Sequence, residues 1–405
     1  MTVLASRTQP ARADRPAASE IRDSMTVLPR WCQLPLTLLT GKPYTGQAAP
    51  QLTATFHLAA AVASVVVGVA IAAAGWLTAG WALLLLPAGW AATLHGARNL
   101  RMLIFHQCSH RNMYGRRSLD NAIGYAIPSL LIIQNFQRYS REHVSDHHAV
   151  HHMTLRDPTV QAFLVSLGLR PGTTRRQMWT TVLRKLVSPW FHLQFLVARI
   201  RSFATGSAPA EKAAAIGIYG TAAVLATAAD AWALLAVVWF VPLVPLYQIS
   251  NTLRLCVKHT FPTADTTHRR GREHFAGLTN AIFLGSPAPA PGASPLRAAL
   301  AWLGWSARML LWHLPVRYLV LTGDTVVHDF HHRYPVSRRW VDYIFARQHD
   351  LDAGHPGWPP YTEEWGLIAA INRVFDSLAA ADPDEFDIRR IASVSRRELF
   401  AAFDD

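Results

Sequence analysis

The chain has 405 residues, 51 % of them apolar and only 16 % charged, with a formal net charge of +13. Its three cysteines (Cys32, Cys108, Cys256) lie far apart and form no CxxC pair, which argues against a disulfide scaffold. The charges are spread too unevenly for an ordinary water-soluble domain. No Asp, Glu, Lys or Arg occurs from Pro43 to Ala97, and from Ala213 to Leu253 the single charge is Asp230.

In chain order, residues 1–50 are rich in Pro, Ala and Arg and lack the apolar centre of a signal peptide, so they read as a mobile leader. Met-Thr-Val-Leu at 1–4 recurs at Met25–Leu28, by chance or because translation starts at Met25. About 20 apolar residues span a bilayer, so each charge-free block can cross twice. The first hairpin is expected over 53–74 and 79–100, turning near Gly75 to Gly80. Sixteen Lys or Arg residues follow between Arg98 and Lys212. Within that segment the uncharged stretch Asn121–Ile133 is too short to span and reads as re-entrant or interfacial. The second hairpin is expected over 213–229 and 231–252, with Asp230 at its tip. A Pro-rich linker (286–295) leads into an amphipathic, Trp-rich stretch, Arg297 to Leu321, suited to a membrane interface. Residues 351–405 read as a C-terminal cytoplasmic tail on a membrane domain of 51–350.

The resulting fold class is an all-α integral membrane protein, with about four transmembrane helices in two hairpins and a helical cap. The positive-inside rule places the basic segments, and so both termini and the cap, in the cytoplasm. A basic face against anionic lipid accounts for the charge, and no nucleic-acid motif is present.

Three histidine clusters carry the chemistry: His106 and His110; His143, His147 and His148, followed by His151 and His152; and His328, His331 and His332. Spacings of three and four put imidazoles on one helix face, about 5–6 Å apart at Cβ. A helix from Ala79 to His110 would be about 48 Å long and would carry the first cluster beyond a hydrocarbon core of about 30 Å. All three clusters can then meet above the membrane, with more ligands than one ion can take. Imidazole donors suit iron, zinc, copper or nickel rather than magnesium or calcium. A His-Glu-x-x-His hydrolase signature is absent. A metal transporter with a histidine-rich loop fits less well, because the boxes are dispersed and the crossings lack polar ligands.

His-x3-His, His-x3-His-His and His-x2-His-His, interleaved with two hydrophobic hairpins, resemble the membrane fatty acid desaturase and hydroxylase superfamily over about residues 50–350. The resemblance implies a non-haem di-iron centre of two Fe ions. With O₂ as co-substrate, such a centre removes hydrogen from an unactivated C–H bond of a lipid chain. It implies as ligands His106, His110, His143, His147, His148, His259, His328, His331 and His332. The second box can also be read as His148, His151 and His152. The family's Asp-Pro some eight or nine residues after the paired histidines, here Asp157-Pro158, favours the first register. His151 and His152 then become second-tier or surface candidates. Some relatives carry an asparagine four residues before the His259 position, where this chain has Leu255.

Asp324 and Asp157 are the main candidates to orient ligands, with Asp146, Glu142 and Asp329 behind them. His355-Pro-Gly resembles a haem-binding corner but reads as a loop. His57, His95, His192, His268, His274, His313 and His349 read as surface or interfacial residues. The expected activity is insertion of a double bond into a fatty acyl chain, with alkyl-chain or carotenoid hydroxylation or ketolation as the alternative. The expected partners are a lipid or acyl-carrier substrate and an external, ferredoxin-like electron donor, at a bacterial inner membrane.

Overall fold

The computed structural model describes residues 18–263, 271–290 and 294–391, apart from the side chains of residues 18–20, 145, 146, 149 and 150. His268, residues 291–293 of the linker, the Asp146 side chain and the first copy of Met-Thr-Val-Leu therefore lie outside the described residues.

The chain is mostly helical. After α1 (Ala18–Ser24) and α2 (Arg30–Thr40), α3 (Ala54–Thr78) opens with Thr53, whose hydroxyl accepts the Phe56 N–H at 3.1 Å. At about 1.5 Å per residue, its 25 residues run about 38 Å, enough to cross a bilayer. The chain reverses at Ala79 and Gly80, both at positive φ, and returns as α4 (residues 80–109). The two helices touch through small residues. A Cβ on Gly68 would stand 2.3 Å from the Thr93 amide nitrogen, and one on Gly89 would stand 2.6 Å from that of Ala72. In lipid, where burying apolar surface gains little, such close backbone approach is what holds helices together.

Residues 136–150 form α5, whose second half, Glu142–Val150, winds as a π-helix. The second hairpin is α6 (Pro209–Ala228) and α7 (Trp232–Lys258), with Asp230 at the turn as expected. Among the described residues, α3 and α7 are the two helices long and apolar enough to cross a membrane. Glu211 and Lys212 dilute the start of α6, and Arg98 and Arg101 the end of α4, so these two helices fall short on composition. The uncharged stretch 121–133 lies mostly in a 15-residue helix, Arg117–Leu131, too short to span.

Residues 295–320 form α8. It leaves Leu300, Leu303, Leu310 and Trp312 exposed, while Trp305 and Met309 pack on Met25 and Leu36 of the N-terminal segment. Residues 323–333 form α9, which carries the third histidine cluster. A two-stranded parallel sheet pairs β1 (Ala281–Phe283) with β2 (Glu363–Trp365) beside it.

Both chain ends differ from expectation. From Ala18 onward the expected leader is folded: Arg22 is fully buried and donates to Gln33 and Thr37 of α2. The segment after residue 350 packs into the core through Leu367, Ile371, Val374 and Phe375 of the helix Leu367–Ala379. Residues 1–17 and 392–405 lie outside the described residues. The Pro and Arg content that suggested mobility is used here in a buried guanidinium network, a tertiary feature that composition does not reveal.

Candidate metal centre

The nine histidines expected as ligands come together in two adjoining groups. His106, His110, His143, His148 and His331 form the first; His147, His259, His328 and His332 form the second. Within each group the ring nitrogens lie within 4.8 Å of one another.

Neighbouring residues on a helix point about 100° apart. The doubled histidines therefore serve different groups, His148 and His331 the first, His147 and His332 the second. In the π-helical part of α5, residues five apart share a face, which brings His143 Nε2 and His148 Nε2 to 3.0 Å. His106 and His110 sit at the end of α4. At His259 the chain leaves α7 in an extended conformation and bridges to Thr279, turning that imidazole toward α9.

The first group has a definite shape. His106, His143, His148 and His331 make a ring of neighbours with centroids 4.6, 4.5, 4.7 and 4.3 Å apart. Its diagonals, His106–His148 and His143–His331, are 6.5 and 6.2 Å. His110 stands 5.0–5.1 Å from all four. Imidazoles bound through nitrogen at about 2.1 Å hold their centroids about 3.2 Å from the ion, hence about 4.5 Å apart at a right angle and about 6.4 Å when opposite. The five rings thus trace a square pyramid around one point.

Hydrogen bonds between the rings do not explain this. His143 Nε2 lies 2.8 Å from His106 Nε2 and 3.0 Å from His148 Nε2, but a ring nitrogen has only one proton or one lone pair to offer. His328 Nε2 is likewise 3.2 Å from His259 Nε2 and 3.1 Å from His332 Nε2. Converging lone pairs are what a shared cation requires, so both donor sets fit a borderline metal ion.

Burial favours the neutral, ligating form. It pushes the imidazoles of His143, His148, His259, His328, His331 and His332 well below their ordinary range, and neighbouring imidazoles push them further. Asp157 caps the helix Pro158–Leu167 and lies with both carboxylate oxygens 3.1 Å from His147 Nδ1. Burial would raise its carboxyl, but the charge and hydrogen bond of His147 outweigh that, with help from His152 and the Met153 N–H, and bring it to about 2. Asp324 is buried with Oδ2 4.0 Å from His106 Nδ1. Burial raises its carboxyl to about 6 despite the Arg254 guanidinium.

Other expectations are corrected. Glu142 orients no imidazole: its carboxylate takes Arg138 and Gln134 instead. Asp329 likewise takes a partner other than an imidazole. It is buried in a pair with Arg347, whose guanidinium also reaches Glu363. The Asp329 pair depends on which elements pack together, which local sequence does not reveal, whereas Arg138 lies one turn before Glu142 on the same helix. His152, set aside as a second-tier or surface residue, is 3 % exposed; it clusters with His147 and Asp157 and its ring lies beside those of His259 and His332, whereas His151 belongs to no such cluster among the described residues. Sequence reasoning also missed Tyr139, stacked on His143 at 5.0 Å, and the Met102 carbonyl, 3.3 Å from His106 Nδ1. His57, His95, His192, His313, His349 and His355 lie outside the groups, each bonded elsewhere.

An apolar cavity of about 520 Å³ lies between α2, α3, α4 and α8, lined by Leu38, Phe56, Leu103, Tyr318 and Tyr343 among others. Tyr343 also lines a narrow crevice that reaches Asp324 and His331. The family model described as fatty acid desaturase matches residues 79–286. No curated protein gives a significant match to the chain.

Proposed function

The chain belongs to the fatty acid desaturase family, and on that premise we propose that it is an O₂-dependent di-iron oxidase that introduces a double bond into a fatty acyl chain at a membrane. Membership implies an oxidoreductase with a lipid substrate. The observation that carries the finer reading is the pair of adjoining all-imidazole groups, five rings and four, built from all three boxes and His259.

His106, His110, His143, His148 and His331 would hold one ion; His147, His259, His328 and His332 would hold the other. Two bound iron ions would supply the O₂ activation needed to remove hydrogen from an unactivated C–H bond. The protein's own part is positioning. Asp157 accepts a hydrogen bond from His147 Nδ1–H, which keeps the proton on Nδ1 and leaves Nε2 as a lone pair facing the second group. The apolar cavity is within the size range of pockets for molecules as large as an acyl chain, and its crevice past Tyr343 would lead one carbon toward His331. Asp324 and Tyr343 line that passage together with the apolar side chains of Val327, Phe330 and Trp340.

Forming one alkene consumes O₂, two substrate hydrogens, two protons and two electrons, and yields two waters. The electrons would come from an external donor, for which a ferredoxin-like protein is the natural class. The basic segments between the hairpins support a cytoplasmic catalytic face, with α6 and the first part of α4 completing four crossings of a bacterial inner membrane.

Mass spectrometry of lipids and acyl metabolites from a bacterial host expressing the chain, with His148→Ala as control, tests the proposal. A product lighter by two hydrogens, absent in the control, is expected. A product heavier by one oxygen would move the reaction to hydroxylation on the same centre. Unchanged lipids from inserted, iron-loaded protein supplied with a reductant would overturn the acyl substrate.

A further inference from the structure

The two imidazole groups are unequal, five rings against four, and His152 stands beside the smaller one. Its ring centroid lies 4.9 Å from His259, 4.9 Å from His332 and 5.1 Å from His147. The second group's own rings show the same spacings: 4.8 Å for His147–His259, 4.7 Å for His259–His332 and 4.6 Å for His328–His332. The group's own spacings lie close to the separation of about 4.5 Å expected for rings at right angles on one ion, and those of His152 are a few tenths of an ångström longer.

The tautomer of His152 is fixed. Its Nδ1 lies 3.0 Å from the His147 carbonyl oxygen, which can only accept, so Nδ1 carries the proton. Nε2 is therefore a bare lone pair, and it is buried with no hydrogen-bond partner among the described residues. A carbonyl on Nδ1–H and a free Nε2 form the usual arrangement of a metal-binding imidazole. Phe275 stacks on the ring at 5.1 Å and covers one face. Leaving such an acceptor buried and unpaired is unfavourable, a cost that coordination would remove.

We propose that His152 is the fifth imidazole of the second ion, through Nε2, so that each ion has five histidine ligands. This rests on the two-metal reading above and extends it by a residue outside its nine ligands.

Ferrous ion is titrated anaerobically into the metal-free, full-length chain in detergent, and bound metal and melting temperature are read together. Wild type and His151→Ala are expected to bind two ions. His152→Ala and His152→Asn are expected to keep the first ion and to bind the second about tenfold or more weakly, with the metal-free melting temperature close to wild type. The asparagine variant separates ligand from structural role. Its amide N–H can still donate to the His147 carbonyl, but it has no counterpart of Nε2.

If His152→Asn binds both ions as wild type does while His152→Ala does not, the residue acts only through Nδ1 and the proposal fails. Wild-type binding in both variants also overturns it. If wild type itself binds fewer than two ions, the two-metal reading falls and takes this inference with it.

Discussion

Protons and metal ions compete for the same lone pairs, so the buried imidazoles make both stability and metal loading depend on pH. In the unfolded chain a histidine protonates near 6.5; in the fold, His328, His331 and His332 stay neutral well below that. Between those values the unfolded state binds more protons, so stability falls as pH falls. The metal-free protein is expected to lose melting temperature from about pH 6.5 downward. Asp157, held at about 2 against an ordinary 3.8, adds a further loss only below about pH 4. A melting series from pH 8 to about pH 3 checks this; a flat profile between about pH 7 and 5 would contradict it. Asp157→Asn keeps an acceptor for the Thr159 N–H but removes the charge facing His147. It is expected to weaken metal binding by about 10–100-fold, read by competition with a chelator.

At the scale of elements, the first hairpin depends on glycine at its crossing. Gly89→Leu would drive a Cβ to 2.6 Å from the Ala72 amide nitrogen, and backbone cannot yield as a flexible side chain can. The helices must part, at a cost of about 1–3 kcal/mol or more. A lower melting temperature in detergent is expected, whereas Gly217→Leu, with open space around its Cβ, should be tolerated. The extent of this hairpin was legible in the charge-free run from Pro43 to Ala97, because lipid admits few charges. The π-helical winding of Glu142–Val150 was not. It is what brings His143 and His148 onto one face, and the local sequence carries no clear signal for it.

For the whole molecule, Arg347 joins distant parts of the chain. It pairs with Asp329 of α9 and with Glu363 of β2, and Glu363 also takes Lys42 from the N-terminal segment. Arg347→Ala would strand the Asp329 carboxylate, which is 1 % exposed, one residue from His328. Breaking a buried pair in this way costs about 3–5 kcal/mol. The variant is expected to melt far lower and to load less metal, whereas Arg389→Ala, at the surface, should do neither. Wild-type melting and metal content in Arg347→Ala would show that the network does not support the centre.

By itself the sequence determined the membrane-compatible helices, the three histidine boxes and His259, because bilayer insertion and helical spacing act locally. The burial of Asp329 in its pair with Arg347 and of His152 beside His259 and His332 was decided by tertiary structure. So was the division of the imidazoles into two groups. Each depends on contacts between segments tens to hundreds of residues apart, such as His148 with His331 and Lys42 with Glu363. Only packing in three dimensions fixes which partner each buried polar group finds.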